Sequence, residues 1–178
     1  MLGYYENFPK NIHAIARFQY QNSTKSLQHA ILYVFHRLNH ETFDLDAVTP
    51  YLKQKSEVSF EFGIANSFDF NFLDQTELDL CLRCVAEKEL QTLDFFVVIR
   101  YHLVRNGNKR VPLKFDYQVL RFTFQKSGLK LEIRHEKGTQ RVPLDDLTDF
   151  ITKQINAELS RMQQTPLIFG NFKKVYLK

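Results

Sequence analysis

The chain has 178 residues, with 17 Phe, 8 Tyr, 2 Cys and no Trp, a composition that suits one domain with a phenylalanine-rich core. No apolar run is long enough to span a bilayer, and the opening MLGYYENFPKN lacks the basic-then-apolar pattern of a signal peptide, so a membrane partner is set aside and a cytoplasmic location is expected. Charge is unevenly placed: residues 41–94 hold 12 acids and 4 bases, a net of −8, while residues 95–141 hold 11 bases and 3 acids, a net of +8, an asymmetry that bears on partners rather than on fold.

In chain order, Ile12, Ala14, Ala16, Phe18 and Tyr20 alternate on one face of a short strand. Asn22-Ser23-Thr24 offers capping side chains for a helix over Lys25–Leu38, whose stripe is Leu27, Ala30, Ile31, Val34, Phe35 and Leu38. Glu41 to Lys55, broken by Pro50, reads as a short helix or loop. Val58, Phe60, Phe62 and Ile64 then alternate, followed by Phe68, Phe70 and Phe72. A loop at Ala65-Asn66-Ser67 pairs Ile64 with Phe68, Phe62 with Phe70 and Phe60 with Phe72. Leu78, Leu80 and Leu82 extend the alternation after a turn around Asp74-Gln75-Thr76, and Ala86–Leu93 is a longer connection.

Phe95–Arg134 reads as three antiparallel strands. Phe95, Val97, Ile99, Tyr101 and Leu103 alternate with a polar set, and Asn106-Gly107-Asn108 supplies a hairpin turn. A three-residue loop pairs Leu103 with Val111, Tyr101 with Leu113, Ile99 with Phe115, Val97 with Tyr117 and Phe95 with Val119, one dry face throughout. Leu120, Phe122 and Phe124 change parity, which implies a β-bulge near Val119-Leu120. The turn Gln125-Lys126-Ser127-Gly128 pairs Phe124 with Leu129, Phe122 with Leu131 and Leu120 with Ile133.

Pro143 opens a last helix, with Asp145 and Asp146 at its positive end. Leu144, Leu147, Phe150, Ile151, Ile155, Leu159 and Met162 form its stripe. Pro166 ends it, and the apolar and basic tail 166–178 suits an edge strand or a partner. The expected fold class is α+β: a curved antiparallel sheet of six to seven strands packed on the long C-terminal helix, with an N-terminal helix. In element order this is similar to helix-grip domains of the START type.

No catalytic or cofactor signature stands out: GxSxG, P-loop and GxGxxG are absent, and no cofactor is implied. His29, His36 and His40 share one helix line, and His36 with His40 has the spacing of a metal-chelating pair, without a third ligand. Cys81-Leu82-Arg83-Cys84 is a lone CxxC; in a strand its sulfurs diverge, and two reduced thiols in a reducing compartment are expected. Glu61, Asp69 and Asp79 are carboxylates that could share a face. The first functional expectation is a non-catalytic binding or interaction module. It would hold a small apolar ligand among Phe60, Phe62, Tyr101, Phe115, Tyr117 and Phe150, or dock a protein partner or second copy through the oppositely charged sheet halves. The alternatives are RNA or DNA binding by Arg100, His102, Lys114, Arg121, Lys130 and Arg134, with the nearby rings turned inward and out of reach of bases, and a metal-dependent enzyme using His36 and His40.

Overall fold

The computed structural model describes residues 1–50, 55–105, 109–126 and 128–175. Part of the Glu41–Lys55 stretch, the turn at Asn106-Gly107-Asn108, Ser127 of the next turn and the end of the tail lie outside those residues. The elements are β1 (Ala14–Gln19), α1 (Thr24–Leu38), β2 (Thr42–Asp44), α2 (Leu45–Val48), β3 (Ser56–Asn66), β4 (Asp69–Phe72), α3 (Gln75–Glu87), β5 (Thr92–Arg105), β6 (Lys109–Gln125), β7 (Gly128–Lys137), α4 (Leu144–Arg161) and β8 (Ile168–Lys174). Among the described residues the fold is α+β, as expected, with eight strands in one open antiparallel sheet. The order is β2-β3-β5-β6-β7-β1-β8, and β4 also pairs with β3.

The helices cover one face. Phe35 of α1 stacks on Phe62 at 4.1 Å and meets Phe95 edge-on at 4.7 Å. Phe150 of α4 stacks on Phe60 at 5.4 Å and abuts Phe43 at 5.1 Å. These rings sit in one cluster with Leu27, Ile31, Leu147 and Ile151. Two helices therefore fill the sheet's inner face, not α4 alone. Ser23 caps α1 as its sequence suggests, its hydroxyl accepting from the N–H of Ser26 at 3.1 Å.

Three sequence expectations are corrected. Leu78, Leu80 and Leu82 do not continue a strand; they lie on α3. Asp74 caps that helix by accepting from the N–H of Glu77 at 2.9 Å, the D-x-x-E arrangement of a capping box. The buried set is Leu78, Cys81 and Val85, spaced by three and four, and Leu80 is 41% exposed. The β3–β4 hairpin pairs Ile64 with Asn71, Ala65 with Phe70 and Gly63 with Phe72, so Phe70 and Phe72 turn away from the helices.

The β5–β6 pairing differs as well. Leu103 does pair with Val111, but the register shifts at once: His102 faces Pro112 and Tyr101 faces Lys114. One residue is bulged, next to a proline that has no N–H to give the ladder. From there Ile99 faces Asp116, Val97 faces Gln118 and Phe95 faces Leu120, instead of Phe115, Tyr117 and Val119. A one-residue slip reverses the faces. Even residues of β6 point at the helices from Lys114 onward, and no parity change occurs at Val119-Leu120. The β6–β7 pairs Phe124–Leu129, Phe122–Leu131 and Leu120–Ile133 form as expected.

Candidate functional site

The bulge puts Phe115 and Tyr117 on the outer face, opposite the buried Tyr101. They join Phe96 of β5 and Phe70 of β4 in a row of rings. Centroid distances are 4.6 Å from Tyr5 to Phe70, 5.6 Å from Phe70 to Phe96, 5.6 Å from Phe96 to Tyr117 and 5.1 Å from Tyr117 to Phe115. Phe115 and Phe72 are each 47% exposed. Register then places Glu61, Val98, Tyr117 and Lys137 abreast on β3, β5, β6 and β7, and Ser59, Arg100 and Phe115 abreast on the next row. Inward-pointing rings were the expectation, so this row was missed from sequence. Pro112 inside a strand is the signal that could have revealed it.

Of the six cations expected to hold nucleic acid, Arg100, His102, Arg121, Lys130 and Arg134 lie on the outer face. Lys114 does not, since it sits opposite Tyr101. Several are already engaged. Arg100 pairs with Glu61 at 2.8 Å, Lys130 with Glu132 at 3.3 Å and Arg134 with Glu136 at 4.0 Å, while His102 meets the hydroxyl of Ser59 at 3.1 Å. Arg121 donates twice to Asp94, at 2.8 and 2.7 Å, and lies over the rings of Tyr4 and Phe8. Tyr5 adds an N–H bond to Asp94 at 2.7 Å, so this clamp pins the N-terminal segment against one end of the face. Burial pushes the Asp94 carboxyl up, against the pull of Arg121.

The six residues expected to line one apolar pocket are split. Phe60, Phe62, Tyr101 and Phe150 are buried on the helix side, where Phe60 stacks on Phe150; Phe115 and Tyr117 are outside. A cleft of about 970 Å³ lies instead at the sheet end near the start of α1, lined by Tyr20, Ser23, Lys88, Phe124, Lys126 and Ile168 among others.

The inward turn of Asp116 creates a buried polar network. The Tyr101 hydroxyl donates to Asp116 Oδ2 and accepts from the N–H of Val142 at 3.2 Å. Asp116 Oδ1 accepts from the N–H of Gln140 at 2.7 Å and lies 3.2 Å from His135 Nε2. The His135 N–H donates to His13 Nδ1 at 3.0 Å. Burial, and then the Asp116 carboxyl, push the Tyr101 hydroxyl far above the usual phenol range. The network holds no nucleophile; it ties residues 138–142 to the sheet ahead of α4.

Burial, then the charge of Arg134, hold His13 below the usual histidine pKa of 6.5. The unfolded chain binds that proton more readily, so His13 contributes stability above about pH 6.5 that is lost as pH falls through the folded value. Urea midpoints are therefore expected to drop between pH 7.5 and 5.5. Asp94, with its raised pKa, works in the opposite sense, so the His13 share is read as the difference from His13→Asn, whose Oδ1 can still accept from His135. Equal slopes in the two proteins would remove His13 from the account.

His36 and His40 lie side by side, ring centroids 4.9 Å apart, but no group of three His, Cys, Asp or Glu placed to hold a metal occurs among the described residues. Burial, then the charge of His40, lower the pKa of His36. On a helix rather than a strand, Cys81 and Cys84 fall on one side of α3. Both are free, and burial pushes the Cys81 thiol up to about 12, away from thiolate chemistry. Glu61 is on the outer sheet face, Asp69 opposite Asn66 at the β4 end, and Asp79 on α3 beside Gln75, so these carboxylates share no face. The chain matches no protein-family model, no curated protein and no solved structure.

Proposed function

We propose that this chain is a non-catalytic interaction module that docks a protein partner on the outer face of its sheet. The observation that carries this is the ring row Tyr5–Phe70–Phe96–Tyr117–Phe115 on the face that the helices leave open. A contiguous, partly exposed aromatic surface rimmed by charge is the composition of protein interfaces. The rings lean on one another, with Phe96 and Tyr117 only 25° from parallel, which suits one apolar contact surface better than separate slots for bases.

Single-stranded nucleic acid is the second reading, favoured by the exposed Phe115 beside Arg100. A photo-reactive phenylalanine analogue at position 115, irradiated in lysate of the source cells, separates the two. The expected result is a protein adduct from position 115 and none from position 80, an exposed control on α3. Adducts to nucleic acid, with affinity that falls steeply with salt, would favour the second reading. Equal labelling from both positions, or none, would sink the docking face.

A further inference from the structure

We infer that the partner on this face is a second copy of the chain, laid face to face about a two-fold axis running parallel to the strands between β5 and β6. This deepens the docking reading above and rests on it.

The inference comes from the row Glu61, Val98, Tyr117, Lys137. It has an acid at one end, a base at the other and apolar groups between. With strands about 4.8 Å apart, its ends lie roughly 14 Å from each other. An axis parallel to the strands swaps left and right while keeping position along the strand. Glu61 of one copy then lies over Lys137 of the second, and Val98 over Tyr117. The next row behaves alike: Arg100 falls over Phe115 of the second copy, the ring half-exposed and the Arg100 side chain itself 43% exposed, as a cation set on a ring requires. Lys137 is exposed and has no acidic partner among the described residues. Glu61 bonds Arg100 but keeps 41% side-chain exposure, so it can be shared.

The other in-plane axis, perpendicular to the strands, sets Glu61 of each copy over β3 of the other, acid against acid, which opposes assembly. Charge therefore selects one arrangement, and it is isologous, the commonest kind in homodimers. Sheets packed in this way align to within about 30°. The N-terminal segments, standing over Arg121 in both copies, come to the same end of the contact. The sheets accordingly approach most closely at the other end, where Arg100 and Phe115 lie.

Sedimentation equilibrium of the purified full chain at low and high salt tests this. A micromolar dimer that weakens with salt is expected. Lys137→Glu and Glu61→Lys should each weaken it by about tenfold or more, because symmetry strikes the pair twice. The double reversal Glu61→Lys with Lys137→Glu should restore it, and circular dichroism checks that each variant is folded. A double variant no tighter than the singles overturns the inference. So does a wild-type monomer across the range; if position 115 still cross-links to a different protein, the docking face stands and only the second copy fails. A dimer indifferent to Phe115→Ala and to both reversals forms elsewhere and overturns the second-copy inference alone, whereas a monomer whose face binds only single-stranded oligonucleotide overturns both.

Discussion

Asp116→Ala is expected to destabilise the fold by about 3–5 kcal/mol, the range for removing one partner from a buried polar network. The side chain is fully buried. Its loss strands the Tyr101 hydroxyl and the Gln140 N–H, and deprives His135 of its neighbour. The Tyr101 hydroxyl, fully buried, carries a penalty that water cannot offset. Val142 hangs on the same Tyr101 oxygen, so the lead-in to α4 should loosen as well. Chemical denaturation measures the loss, and hydrogen exchange at Gln140 and Val142 locates it. Asp116→Asn keeps one acceptor oxygen and should lose less. A loss below about 1 kcal/mol for Asp116→Ala would mean the network is no more than an average hydrogen bond.

The second large effect is expected at Gly138. Its φ of +119° belongs to a region that side chains avoid, and an added Cβ would lie 2.1 Å from Asp116 Oδ1 and 2.6 Å from the Phe115 carbonyl. Backbone strain and overpacking each contribute about 1–3 kcal/mol, so Gly138→Ala should destabilise by at least about 2 kcal/mol. Part of the clash is with the Asp116 side chain and part with backbone. In an Asp116→Ala background the same substitution should therefore do less harm without becoming neutral. Strict additivity in that double-mutant cycle would contradict the contact. The bulge that turned Asp116 inward thus made a glycine necessary 22 residues downstream, while the same bulge made the outer face aromatic.

Several elements were legible from local pattern because a local cause sets them. The α1 stripe with its Ser23 cap and the α4 stripe after Pro143 both form as read. The pairs Leu120–Ile133, Phe122–Leu131 and Phe124–Leu129 follow from a turn and unbroken alternation. At α3, Leu78, Leu80 and Leu82 fit a period of two, yet the cap Asp74-x-x-Glu77 and the Leu78-Cys81-Val85 spacing carried the helical answer. There two local signals conflicted, and the wrong one was longer.

By itself, the sequence determined an α+β chain with its terminal helices and an antiparallel sheet, because periodicity, caps and turns act over a few residues. Only the tertiary structure decided which way β6 faces. Apolar residues stand on both parities of that strand, so alternation cannot choose between them, and the assumption of an apolar interior chose wrongly. Asp116 can face inward because Tyr101, Gln140 and His135, from 15 to 24 residues away, meet it there. Hydrogen-bond partners so distant leave no trace in a local pattern, and the aromatic face of this protein depends on them.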